Sequence, residues 1–163
     1  MEKVKDYIKL YTDIVDPKLC NDMINYKFEY DIGEVNSDLS TKDIKKLLEA
    51  VDIPDSLKQR LNPVYTEDYW IKEKTKFYEE LKKSYQKSYA VYKKDFPMFN
   101  VNLLTDFRIS KYNKSCSLNN HIDTIAGSHG QQFGHPQVTV LLFLNDDYEG
   151  GEIVIADNIY KPP

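Results

Sequence analysis

The sequence predicts an α+β fold in which a helical N-terminal half buttresses a sheet built by the C-terminal half. Three observations carry that expectation. Apolar residues recur at helical spacing until about Lys94. Beyond Pro97 they alternate or run in short blocks, the pattern of strands. Asp146, Asp147, Gly150 and Gly151 supply turn chemistry between the last two blocks. A chain of 163 residues has room for one core, so a single domain over 1–163 is expected, with 1–98 as helical support and 99–163 as the sheet.

Each element has a local reason. Ile8, Leu10 and Thr12 alternate with Lys9, Tyr11 and Asp13, which predicts a strand over 8–14. Asp16 followed by Pro17 predicts a helix start, with Asp as cap and Pro in the first helical position; Leu19, Cys20, Met23 and Ile24 form its apolar stripe. Residues 31–38 read as a loop. Ser40 or Thr41 caps a second helix with Ile44, Leu47 and Leu48 on its apolar face, and Pro54 and Pro63 bracket a third, Asp55–Leu61. The longest helix is predicted from Thr66 to about Lys94. Its stripe of Trp70, Phe77, Leu81, Tyr85, Tyr89 and Tyr92 reads as core packing, the ordinary way such a helix docks. Strands are predicted over 102–112, 118–122, 138–144 and 152–156, the last without a successor.

Composition narrows the function classes. Charged residues make up 29% and the net charge is −4, which does not describe a phosphate-backbone binder, so no nucleic-acid partner is expected. Arg60 and Arg108 are the only arginines among many lysines, and with 13 tyrosines the usage suggests an AT-rich, viral genome. Cys20 and Cys116 make no disulfide framework. The charged N-terminus is no signal peptide and no stretch reaches the length of a membrane span, so a cytoplasmic protein without a membrane partner is expected. The lysine-rich helix faces are balanced by Glu73, Glu79 and Glu80 and read as solvated surface, as do the hairpin carboxylates Glu149 and Glu152. Nothing in sequence near Cys116 lowers its pKa.

The chemistry-bearing group is His121-Ile122-Asp123. On a strand, residues two apart share a face, so an imidazole and a carboxylate would enter one space. That is two thirds of the 2-His-1-carboxylate triad of non-haem iron(II) oxygenases. Alone, His-x-Asp is a weak signal that recurs by chance on surface strands.

Its surroundings are more specific. Phe107-Arg108-Ile109-Ser110-Lys111-Tyr112 precedes it. An apolar run containing Thr139 follows and leads through Leu144-Asn145-Asp146 to Glu149-Gly150-Gly151-Glu152. This layout resembles the prolyl-4-hydroxylase-like iron(II)/2-oxoglutarate-dependent oxygenases, and the segment from Ile8 to Cys20 resembles that family's opening strand and first helix. The resemblance implies helices packed on a partial double-stranded β-helix (jelly roll) that lacks its last strands. It implies His121 and Asp123 as catalytic iron ligands, and Tyr112, Thr139 and Phe143 as contacts of the co-substrate. Many relatives carry Tyr where Phe143 stands, and Phe offers no hydroxyl donor.

The implied cofactors are Fe(2+), 2-oxoglutarate as co-substrate, and ascorbate. The implied partners are O2 and a peptide or small-molecule substrate, with a prolyl or other side chain as the family-level expectation. The family's second His ligand and its basic anchor for 2-oxoglutarate lie on later strands and would follow Pro163, so the chain is expected to be cut short before them. Arg108 shares strand parity with Tyr112 and reads as a strand-face charge that could face inward.

Two other readings stay open. The chain could be a non-catalytic remnant, or half of a split protein whose missing strands a second chain supplies. Alternatively, His121, Asp123 and a histidine of the Gly-rich loop 124–137, His129 or His135, could form a small zinc site. By analogy with family members, that loop is otherwise expected to act as a lid.

Overall fold

Asp16 begins the first helix as its sequence predicts. Its side chain accepts the Lys18 N–H at 2.8 Å, and Pro17 opens α1 (Pro17–Ile24) where no amide donor is needed. Ser40 does the same for α2 (Thr41–Leu48), accepting the Asp43 N–H at 3.2 Å while its hydroxyl donates to the Asp43 carboxylate at 2.7 Å. The third helix, α3 (Asp55–Leu61), also falls where expected. The computed structural model describes residues 4–50, 54–101, 103–123 and 138–161. Their architecture is α+β, with a three-stranded antiparallel sheet and a separate two-stranded hairpin. Among them, no helix is long and apolar enough to cross a membrane.

The chain divides into two compact units. One comprises Lys27–Lys72 and Asp106–His129. It holds the three-stranded sheet, in the order β1 (Asp31–Val35), β2 (Tyr65–Ile71), β3 (Phe107–Tyr112). β2 and β3 pair in continuous register from Thr66 opposite Tyr112 to Ile71 opposite Phe107, whereas β1 slips against β2 between Ile32 and Val35. The core of this unit forms where α2 and α3 meet the sheet. Ile44, Leu61 and Tyr65 are buried together, and Ile32, Val35, Leu47, Leu48, Leu57 and Val64 pack around them.

The other unit comprises Met1–Tyr26, Glu73–Thr105 and Gly130–Pro163. Its main element is α4 (Tyr78–Asp95), with Glu79 and Glu80 in the first turn and Lys93 and Lys94 in the last, each complementing the helix dipole. Tyr92 packs against Phe96 and Phe99, Tyr7 stacks on Phe96, and the Tyr11 hydroxyl donates to Asp95 at 3.2 Å. The unit ends in a hairpin of β4 (Ile153–Ile155) and β5 (Asn158–Tyr160). Ala156 and Asp157 both take positive φ there, the backbone a two-residue hairpin turn requires.

Several expectations are corrected. The segment 66–94 is not one helix. Tyr65–Ile71 is a strand rich in aromatic and β-branched residues, and the chain turns through Lys74 and Phe77, both at positive φ, before α4 begins. Steps of seven and four from Trp70 to Phe77 and Leu81 span that turn and mimic a helical stripe. Residues 31–38 are not all loop: Gly33 signals a turn in sequence, yet Ile32 and Val35 dock on the core and make β1. Residues 8–14 form no strand. They follow a short 3-10 turn, Val4–Tyr7, and lay their side chains along α4 rather than along a ladder. The strand expected over 102–112 is confined to Phe107–Tyr112. Residues 118–122 and 138–144 have no ladder partner among the described residues and are not strands, while the strand near 152–156 does have a successor in β5.

Replacing Ile44, fully buried in the sheet unit, by Ala should cost about 2–5 kcal/mol in urea denaturation, the usual cost of an emptied core site. A loss under about 1 kcal/mol would show that this cluster is not the core. Burial is also the largest cause raising the phenol pKa of Tyr11, Tyr30, Tyr65, Tyr85, Tyr92, Tyr112 and Tyr148 above the ordinary 10.0. A raised folded-state value favours the neutral phenol. That stability is therefore complete below about pH 10 and lost as pH rises through the folded values. Absorbance titration should give later phenolate formation in folded than in urea-unfolded protein, with the thermal midpoint falling above pH 10; coincident titration curves would contradict the assignment.

Candidate functional site

The pleat of β3 sorts its side chains. Ile109 is buried on one side, so Arg108, Ser110 and Tyr112 lie on the other. The register places Trp70 opposite Arg108, Asp68 opposite Ser110 and Thr66 opposite Tyr112. One face of the sheet therefore collects a carboxylate, a guanidinium, two hydroxyls, a phenol and an indole.

Two members of this face are deeply buried: Thr66 is 1% exposed and Asp68 7%. They are not orphaned. The Thr66 hydroxyl donates to Asp68 Oδ1 at 3.1 Å and accepts the Glu34 N–H at 2.8 Å. Asp68 Oδ2 lies 3.4 Å from Arg108 Nη1, which also donates to Glu34 Oε1 at 3.0 Å. The guanidinium carbon sits 5.8 Å from the Trp70 ring centroid, close enough for a cation–π contribution. Gly33 makes room for the carboxylate, because a Cβ there would stand 2.2 Å from Asp68 Cγ.

Tyr112 is 52% exposed, yet burial is the largest cause raising its pKa; Arg108 opposes the shift, and Asp68, Cys116 and Glu34 add to it. The phenol therefore lies within the electrostatic reach of the Arg108 cluster.

Beyond β3 the chain turns, with the Cys116 N–H on Asn113 O at 2.9 Å and Ser115 at positive φ. The Cys116 thiol donates to Tyr65 O at 3.3 Å and Asn36 Nδ2 donates to Ser117 O at 3.1 Å, so this loop is tied to the sheet unit. Burial pushes the Cys116 thiol up, against the reactive direction.

His121 and Asp123 follow. The alternation of a strand does not bring them together, since 118–122 is not one. A local bend does so instead, and His121 Nε2 lies 3.4 Å from Asp123 Oδ1, the two side chains 50% and 48% exposed. His121 Nδ1 is 2.8 Å from Asn119 O, a contact that requires the proton on Nδ1. In the neutral ring, Nε2 then offers a lone pair toward a carboxylate oxygen. Cis ligands at about 2.1 Å from one metal stand about 3 Å apart, so the pair fits two positions of a metal shell.

A complete shell is another matter. Among the described residues no group of three or more His, Cys, Asp or Glu could hold a metal. His129, His135 and the expected lid 124–137 lie outside the described residues. Thr139 is exposed and Phe143 half-buried, and both belong to the other compact unit. Glu152 pairs with Lys161 at 3.2 Å on the terminal hairpin. The sequence reading missed Gly33, Glu34, Thr66 and Asp68 as members of the polar face. The available signal was the period-two placement of Thr66, Asp68 and Trp70, hidden by the helical reading. Compared with known protein families, curated proteins and solved structures, the chain matches none.

Gly33→Ala should destabilise the protein by about 1–3 kcal/mol, because Asp68 is held on two sides and cannot retreat. The double variant Gly33→Ala/Asp68→Ala should lose less than the sum of the two single changes in denaturant melts. Strict additivity would show that the two positions do not touch.

Proposed function

We propose that this chain carries part of an iron(II)- and 2-oxoglutarate-dependent dioxygenase core of the prolyl-4-hydroxylase-like type, with His121 and Asp123 as two ligands of the iron. The observation that carries the proposal is the His121–Asp123 pair, 3.4 Å apart, half-exposed, with Nδ1 of His121 turned to a backbone carbonyl. A carbonyl on the second nitrogen is the usual means of fixing the tautomer of a metal-binding histidine.

Iron(II) with 2-oxoglutarate and O2 would supply oxidative decarboxylation to succinate and CO2, coupled to hydroxylation of a substrate C–H bond. The chain's own residues would position these partners. Asn119 O keeps Nε2 available as the ligand. Tyr112 leaves β3 just before the ligand loop and would offer its phenol to a co-substrate carboxylate. Thr139 and Phe143 are the further co-substrate contacts that the resemblance offers. A peptide side chain, prolyl among them, is the substrate class the resemblance offers, with ascorbate as the reductant that keeps the iron ferrous. The order β1-β2-β3 leaves one edge of β3 without a neighbour among the described residues, where the jelly-roll reading would add a further strand, from this chain or a second one.

The absence of a third ligand among the described residues favours a second reading, in which the pair holds metal weakly and turns nothing over. The two separate in one experiment. Anaerobic Mn(II) titration followed by electron paramagnetic resonance should show binding that His121→Ala and Asp123→Ala each weaken about 10-fold or more. Succinate release from 2-oxoglutarate with Fe(II) and O2 then distinguishes oxygenase from inert metal holder. Metal binding unchanged in both variants would sink both.

A further inference from the structure

The β4–β5 hairpin is a sheet of its own, and among the described residues β5 has no neighbour but β4. A lone hairpin is marginal in water; a further strand or a covered apolar face is what stabilises one. Here the apolar cross-strand pair is open, with Val154 opposite Ile159 and the two residues 59% and 67% exposed. The turn decides which backbone groups stay unused. With only Ala156 and Asp157 in it, Ile155 and Asn158 close the hairpin as a hydrogen-bonded pair. The alternation of an antiparallel ladder then points the N–H and C=O of Asn158 and Tyr160 at β4, and those of Ile159 away from it. Charge marks the same edge. Lys161 continues β5 and pairs with Glu152 at 3.2 Å, yet its side chain is 70% exposed. Asp157 is also exposed, and it stands as far before Ile159 as Lys161 stands after it. Run in the opposite direction, the stretch around Ile159 is therefore its own complement.

We propose that the hairpin pairs with the same hairpin of a second copy of this chain, antiparallel along β5, on a two-fold axis at Ile159. Ile159 of each copy exchanges both backbone hydrogen bonds with Ile159 of the other. Asn158 of each stands opposite Tyr160 of the other, and Asp157 opposite Lys161. Each ammonium then sits between Glu152 of its own chain and Asp157 of the second. The hairpins become one continuous sheet, with Val154 and Ile159 of both copies in one apolar row across it. The contact is self-complementary and closes on itself. A slip of one strand period in either direction sets Ile159 against Asp157 or Lys161, so charge fixes the register. Pro162 and Pro163 have no amide donors, which confines the ladder to the residues before them. The β4 edge has no such match. An axis at Val154 would set Glu152 opposite Ala156, and Gly150 and Gly151, both at positive φ, end the extended run. The pairing uses neither β3 nor the His121 loop, so it is distinct from the proposed metal site and from a strand added to β3.

Sedimentation equilibrium of the full chain should give a reversible monomer–dimer equilibrium, with dimer present by about 1 mM protein. It is weak because so short an edge buries well under the roughly 1,200 Å² of a standard interface. Ile159→Lys sets like charges against each other at the axis and should weaken the dimer about fivefold or more; the position is exposed, so the fold does not depend on it. Asp157→Lys and Lys161→Glu should each weaken it alone, and an equal mixture of those two variants should associate better than either, because both cross-chain pairs are then of opposite charge. In a Cys20→Ser/Cys116→Ser background, Ile159→Cys should cross-link between copies on mild oxidation, since residues paired across the axis lie about 5.5 Å apart at Cα, within disulfide reach. Val154→Cys is comparably exposed but lies about 14 Å from its counterpart, three strand spacings away, and should not cross-link. A chain still monomeric at about 1 mM, a dimer indifferent to Ile159→Lys, or cross-linking no better at 159 than at 154 overturns the proposal.

Discussion

The buried carboxylate of Asp68 is the constraint around which the sheet unit is arranged. A carboxylate removed from water is tolerated only with hydrogen bonds and an opposite charge. Each demand names a residue. Thr66, two positions back on the same face of β2, gives the hydroxyl; Arg108, on the paired β3, gives the charge; Gly33, on β1, gives the space. Residues of all three strands thus meet at a single buried side chain. The apolar side of the sheet, with Tyr65 against Ile44 and Leu61, supplies the burial energy but is less selective, since apolar contacts tolerate sliding.

Charge is arranged with opposite sign at two places in this unit. At Arg108 a cation stands among carboxylates with part of its donor set unused. At His121 a lone pair faces a carboxylate, with a backbone carbonyl behind the ring. Both lie at the surface of the unit, with Arg108 35% and His121 50% exposed.

What could be read in the sequence follows from how local its cause is. Asp16-Pro17, Ser40 and the Pro54–Pro63 bracket act within one turn, and the helices they start are where the residues place them. Strands depend on partners elsewhere. Residues 8–14 and 138–144 have the alternation or apolar content of strands, yet the first lies along α4 and the second has no ladder among the described residues. The reverse error arose at Gly33, a turn-former by local rule and a strand residue because Asp68 needs the room. The proximity of His121 and Asp123 was legible, but through the wrong cause: a bend held by Asn119 O replaces strand parity. The polar face was lost with β2, because a helix would keep Thr66, four residues before Trp70, on the same face but turn Asp68, two residues before it, away.

Energetics decide which carboxylate on Arg108 can give way. Separating Arg108 from Asp68 would leave a buried charge uncompensated, which costs about 3–5 kcal/mol. Separating it from Glu34 breaks an ion pair with one partner half in water, worth about 0–1 kcal/mol. The asymmetry is a factor of about 30 to several thousand in population, taking about 1.4 kcal/mol per factor of ten. Thermal motion therefore opens Arg108 on the Glu34 side while the Asp68 contact, and with it the register of β2 on β3, stays closed. A guanidinium anchored by one carboxylate and released by the other keeps its position and orientation over Trp70 when its outer partner leaves.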